Sequence, residues 1–176
     1  MTGAMAAVDE NGRHLCHNVI PVLGGKLDAR KLINWLYAAP GFTGQTKDDL
    51  FVTIEDVHAV FNSSAKSTFN FGFVCGGIQA VVQTLLIPYA LVQPKIWQKS
   101  MWQGVPELRK PSTTSVNTKG KSVTRKGSIR TKEMSLVAIS RLYPEVSVLK
   151  TPNCTIPHDG IVDAILIAEY GRRSLC

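Results

Sequence analysis

The alternation of apolar and polar positions divides the chain into short strands and a few helices. Thr2 to Val8 is a run of small apolar residues ending at Asp9-Glu10-Asn11-Gly12, a turn signal containing Asn-Gly. Arg13 to Val22 reads as the returning strand, so the chain opens on a hairpin, which Gly24-Gly25 breaks. Leu27, Leu32, Ile33, Leu36 and Tyr37 then recur at helical spacing, with Asp28 near the start and Pro40-Gly41 as a stop. Leu50 to Val57 is short, β-branched and largely apolar, the pattern of a buried strand. Beyond a Ser/Asn-rich loop at Asn62 to Ser67, a long helix is expected from about Thr68 to Leu86, followed by Pro88 and a strand over Tyr89 to Val92. Gly72, Gly76 and Gly77 would each cost that helix roughly 1 kcal/mol relative to Ala, which implies either a closely approaching backbone or a first turn that is not helical. Pro94 to Met101 is a short amphipathic piece, and Thr131 to Tyr143 and Asp159 to Gly171 are helices. Between them, Gln103 to Ile129 is rich in Pro, Ser, Thr, Lys and Gly without periodicity and is expected to be a mobile loop. Alternating strands and helices predict one α/β or α+β domain over residues 1–176 with a central mixed sheet.

Composition narrows the class. A chain of 176 residues with 44% hydrophobic content suits a single domain with a real core and is not a disordered chain. The most apolar stretch, Phe73 to Val92, is interrupted by Gln79, Gln83 and Pro88, so no membrane span is expected. The first dozen residues lack a basic region followed by an apolar run, so no secretory signal is expected either. Cys16, Cys75, Cys154 and Cys176 are scattered without metal-ligand spacing, which predicts reduced thiols in a cytosol-like compartment.

Charge is more informative. The net charge is +7, and its excess lies in Arg109, Lys110, Lys119, Lys121, Arg125, Lys126, Arg130 and Lys132, a span with no acidic residue. Without those residues the chain is close to neutral, which points to a polyanionic partner such as nucleic acid, against the plainer reading of a solubilising loop.

Three acidic residues stand where carboxylates are costly. Glu55 closes the apolar run Val52-Thr53-Ile54, and Asp159 and Asp163 lie four apart on one face of a helix start whose continuation is apolar. Carboxylates converging from a strand and a helix make a hard, oxygen-lined site suited to Mg²⁺ or Mn²⁺, and two such ions support phosphodiester hydrolysis. The alternatives are a helix cap at Asp159, a lysine pair at Asp163 and an exposed strand end at Glu55.

The blocks IEDVHAVFNSSAKSTFNFGFVCGGIQAVV, IPYALVQPKIWQKSM, TKEMSLVAISRLYP and HDGIVDAILIAEYGRR resemble, in order and over most of residues 50–173, the RuvC-like Holliday junction resolvases of the phage and plastid branch. The resemblance implies a ribonuclease H-like fold, a homodimer and paired, Mg²⁺-dependent nicking of four-way DNA junctions by two ions, in recombination and repair. It implies a cytoplasmic setting in a bacterial or phage-infected cell, with an organelle as the other option. By position, Glu55, Asp159 and Asp163 match the family's acidic metal ligands and Lys132 its lysine near the scissile phosphate. Phe69 and Phe71 fall in its loop-to-helix aromatic block, where a ring either stacks on unpaired bases or belongs to the core. Lys95 and Lys99, beside Trp97, and Lys119, Lys121, Arg125, Lys126 and Arg130 are the expected DNA contacts. His158 is either a metal ligand or proton shuttle, or a structural residue bonded to its loop.

One element of the pattern departs. The family's first strand ends in a catalytic Asp within a run like G-(I/L)-D-P-x-x-(S/T)-G-A, whereas this chain opens Met1-Thr2-Gly3-Ala4, which looks like the tail of that run. Asp9 lies about 17 Å away along the next strand and does not substitute. The expectation is an N-terminally truncated ribonuclease H-like sheet with exposed edges. Its activity is either impaired or replaced by junction binding without cleavage. A nuclease of the same fold acting on RNA or RNA–DNA hybrids is a third option.

Overall fold

The computed structural model describes residues 3–38, 49–57, 64–116, 118 and 121–176. The opening hairpin forms as expected: β1 (Ala4–Val8) pairs antiparallel with β2 (His14–Val19). Its turn is closed by the Asp9 carboxylate, which accepts from the N–H groups of Asn11 and Arg13, and by Gly12 at a φ of 81°. A second, minimal hairpin joins β3 (Val22–Leu23) to β4 (Lys26–Leu27), with Gly24 and Gly25 both at positive φ, as a tight two-residue turn requires. Helix α1 (Ala29–Ala38) buries Leu32 and Leu36. Tyr37, read from spacing as part of the same stripe, instead faces solvent because Trp35 takes the remaining packing position. The expected stop at Pro40-Gly41 lies outside the described residues.

Strand β5 (Val52–Glu55) pairs in parallel with β6 (Tyr89–Val92). Between them runs α2 (Ala65–Thr84), which starts three residues earlier than its pattern suggests because Ser64 caps it, its side chain accepting from the Ser67 N–H. The glycines of α2 do not share one explanation. Gly77 meets the Leu27 side chain, whereas Gly72 and Gly76 face open space, so the expected approach of a backbone is not what admits them. Helix α3 (Pro94–Met101), helix α4 (Thr131–Leu142) and helix α5 (Asp159–Ser174) complete the helical set among the described residues.

The segment expected to be a mobile loop contains a β-ribbon. Strand β7 (Thr113–Val116) pairs antiparallel with β8 (Ser122–Arg125), and an Arg109–Ile129 bridge extends the ladder toward the globule. Gly127 is required there, since a Cβ at that position would sit 1.9 Å from the Lys110 carbonyl oxygen. Both faces of the ribbon are exposed, so it carries no apolar alternation by which a strand is recognised.

The layers follow from side-chain direction. Ala4, Ala6 and Val8 of β1 pack on a cluster built from α5, Trp97 and Met101 of α3 and Ala138 and Ile139 of α4. Met5, Val52 and Ile54 point the other way, into a cluster with Leu32, Leu36 and Val82 from α1 and α2. The architecture is therefore α/β: strands between two helical layers. β1 and β5 are each paired along one edge, and among the described residues no ladder joins them. Val52 donates its N–H to the Pro88 carbonyl just before β6 and Asp56 to Val92 at its end, so the N–H groups of Thr53 and Glu55 point away from that strand. All residues of β1 and β5 are accordingly half-buried, where the pattern of β5 predicts full burial. Among the described residues, no helix is long and apolar enough to cross a membrane.

Candidate functional site

The start of α5 organises the site. His158 caps the helix, its Nδ1 accepting from the Ile161 N–H at 3.3 Å, the backbone-bonded arrangement that one of its two readings expects. The cap places Asp159 in the first turn and Asp163 one turn further on, where the helix enters the core beside Val162 and Ile165. The same face of the protein receives Glu55 from the end of β5 and Lys132 from the first turn of α4.

Each carboxylate has a different environment. Burial pushes the Asp163 carboxyl up to about 6; a hydrogen bond with buried Ser135 opposes the rise, and the negative charges of Glu55 and Asp159 add to it. Glu55 is also raised by burial, partly offset by the Trp97 indole N–H, which donates to Oε1 at 2.9 Å. Trp97 is fully buried, so this bond ties the strand end to the core. Asp159 is exposed and forms an ion pair with Lys132, whose ammonium is held above the usual lysine range by that hydrogen bond and charge. A cleft of about 40 Å³ lies between them, lined by Gln98, Thr131, Lys132, Ser135, Asp159 and Asp163.

The four residues selected from sequence as catalytic are thus brought together, Asp163 feeling the charge of the other three. As placed, no three His, Cys, Asp or Glu side chains among the described residues stand close enough to hold one ion. Each carboxylate bonds a protein partner instead: Trp97, Lys132 or Ser135. The donor set nevertheless fits a divalent hard cation. It offers carboxylate oxygens only, and one lysine faces three acids of which two are raised by burial.

The basic residues are placed less uniformly than their count suggests. Arg109 and Lys126 both bind the Glu107 carboxylate, the latter at 3.2 Å, and the hydrogen bond from Arg109 leads in pushing Glu107 down to about 2. Arg130 pairs with Glu133 at 2.8 Å. Lys110, Lys121 and Arg125 lie exposed on the ribbon or its base, Lys95 and Lys99 lie exposed on α3, and Lys119 is outside the described residues. Phe69 is 72% exposed near the start of α2, while Phe71 is half-buried.

Three contributors escape sequence reasoning. Trp97 and Ser135 bond the carboxylates across long chain separations, and Glu107 sits just outside the basic run it partly neutralises. A separate buried acid, Glu169, is 2% exposed and accepts from Tyr143, Arg172 and Arg173. Burial raises its pKa, yet those bonds outweigh burial and hold it below the usual glutamate value. It locks the end of α5 to α4 and, through Arg172, to the Glu10 carbonyl of the first hairpin. A scan of protein-family models finds no match to this chain, and a search of curated proteins finds none either.

Proposed function

We propose that this chain is a RuvC-like, ribonuclease H-like endonuclease that cuts four-way DNA junctions by Mg²⁺- or Mn²⁺-dependent phosphodiester hydrolysis. The observation that carries the reading is the convergence of Glu55, Asp159 and Asp163 beside Lys132, with Asp163 held in an environment that disfavours its charge. Glu55, Asp159 and Asp163 would hold the cations, which when bound activate water and stabilise the leaving oxygen. Lys132 holds a positive charge at the rim of the cleft, where it can meet a phosphate oxygen once released from Asp159. Trp97 and Ser135 fix the orientation of two of the acids. The ribbon residues Lys121 and Arg125, with Lys95 and Lys99 on α3, supply phosphate contacts. The exposed side of α2 carries Phe69 and Phe73, with Gly72 open between them and Gly76 open just beyond, which supports a homodimer formed across that helix. Branched DNA in the cytoplasm of a bacterial or phage-infected cell, or in an organelle, is the proposed setting.

A second reading keeps the binding and drops the cleavage, and it is favoured by the protein partner that each carboxylate already bonds: Trp97, Lys132 or Ser135. One experiment separates the two. The 176-residue chain is mixed with a four-way junction, a linear duplex and an RNA–DNA hybrid, with Mg²⁺ or with EDTA. Junction-selective, salt-sensitive binding with Mg²⁺-dependent nicking, the nicking lost and the binding kept in Asp163→Asn, supports the endonuclease. Binding without nicking selects the second reading. Equal affinity for all three substrates, or nicking unaffected by Asp163→Asn, overturns the proposal.

A further inference from the structure

A second cluster of titratable groups lies away from the carboxylates, on the opening hairpin. In a regular strand, residues three apart face opposite sides. In β2 the register slips: Ala7 pairs with Cys16 but Val8 pairs with His14, so Leu15 is an extra residue and the strand is bulged. A bulge cancels one step of alternation and re-aims a side chain, so His14 and His17 emerge on one face. Their facing nitrogens, Nε2 of His14 and Nδ1 of His17, stand 2.9 Å apart, with ring centroids separated by 5.0 Å. Both line an open cleft with Arg13, Glu145 and Lys150, and the Glu145 carboxylate lies close enough to act on His14.

We propose that His14 and His17 form a two-imidazole site for a borderline divalent transition ion of the Cu²⁺, Ni²⁺ or Zn²⁺ class. Imidazole nitrogens bind such ions at about 2.0–2.1 Å, and two of them 2.9 Å apart subtend about 90° at a shared ion. That is the cis angle of a tetragonal nitrogen and oxygen site, whose remaining positions water fills from the open cleft. Without metal the two rings share one proton between the facing nitrogens. On binding, that proton moves to the other nitrogen of its own ring, so both rings stay neutral and both facing lone pairs turn to the ion. Tyr143, the C-cap of α4, backs the pair, its ring at 71° to that of His14 and 6.4 Å from it between centroids. Arg13 and Lys150 bring positive charge to the same cleft and work against a cation, Glu145 in its favour. The proposal stands or falls independently of the endonuclease reading, because none of its residues belongs to the carboxylate cluster.

The test titrates the full chain with Cu²⁺ at neutral pH, followed by calorimetry and electron paramagnetic resonance. The expected result is a spectrum split by two imidazole nitrogens that saturates at one ion per chain, whatever further ions the carboxylates of the proposed cation site take up. His14→Gln and His17→Gln are each expected to weaken binding by at least about tenfold, since even outer-shell changes cost that much. Circular dichroism checks that each variant is folded, and the wild-type spectrum decides on its own if one is not. A wild-type spectrum without two-nitrogen splitting, or splitting that survives in His17→Gln, overturns the proposal.

Discussion

Replacing Asp163 by Asn is expected to stabilise the protein at neutral pH. The carboxyl titrates at about 6 in the folded chain against an ordinary 3.8, so the native state holds its proton more tightly than the unfolded state does. Ionising Asp163 therefore costs folding free energy, and stability falls as pH rises from about 4 to 6. A rise of about two units corresponds to roughly 3 kcal/mol, present in full above pH 6. The residue is half-buried, and solvent screening trims the expected gain to about 1–3 kcal/mol. Asn keeps the shape and a hydrogen bond to Ser135 while removing the charge that Glu55 and Asp159 oppose. For a chain of this size 1 kcal/mol moves Tm by about 2–4 °C, so the shift is readily measured. Urea unfolding of wild type and Asp163→Asn at pH 7.5 and at pH 4 checks it. At pH 4 wild-type Asp163 is protonated in the fold and the remaining difference shrinks to about 0.5 kcal/mol. A variant less stable than wild type at pH 7.5, or a gain that does not depend on pH, would refute the reasoning.

Other expectations concern the parts around the site. Gly127→Ala forces a Cβ against the Lys110 carbonyl, so the β7–β8 amides should lose exchange protection while the global Tm moves little, because the ribbon is exposed on both faces. Glu169→Gln should cost about 2–4 kcal/mol in urea unfolding, by removing the negative charge and one of the two acceptor oxygens that serve Tyr143, Arg172 and Arg173. Since Glu169 is depressed below its usual 4.5 in the fold, that stabilisation is present above 4.5 and lost as pH falls, and the Gln variant should lack this acid sensitivity. Glu107→Gln frees Arg109 and Lys126; if the chain binds DNA as proposed, affinity should rise and the plot of log affinity against log salt should steepen by about one to two units. An unchanged slope would exclude both side chains from phosphate contact.

The parts legible from sequence are those whose burial is one-sided. The opening hairpin announces itself through Asn-Gly, and α3 starts at Pro94 as its pattern indicates because Trp97 and Met101 face the core. The ribbon was illegible because nothing on it is buried, so no period distinguishes strand from coil. The first turn of α2 was hidden for a related reason. Ala65, Lys66 and Ser67 are exposed and polar or small, and the signal that mattered was one hydroxyl, Ser64, within a run that reads as loop. The i,i+4 pair Asp159 and Asp163 was visible because an acid inside an apolar helix is conspicuous. Trp97 as the partner of Glu55 was not, because nothing local connects residues 42 apart.

Placing a buried acid costs stability, and the position of Asp163 shows how the fold tolerates it. Ile161, Val162, Ile165 and Leu166, its neighbours on α5, are all essentially inaccessible to solvent. Burial of each such side chain is worth about 1.5–3 kcal/mol, so this one helix offsets a charge penalty of the size worked out above with a margin. The far end of α5 is pinned independently by Glu169, which keeps the helix from sliding or rotating to relieve Asp163. The strain is therefore confined to the carboxylate itself, where a bound cation or a proton removes it. An acid held this way gains more from a counter-charge than an exposed acid does, because the fold has already borne the cost of desolvation. That asymmetry marks Asp163, rather than the lysine-paired and exposed Asp159, as the group on which any divalent ion at this site depends most.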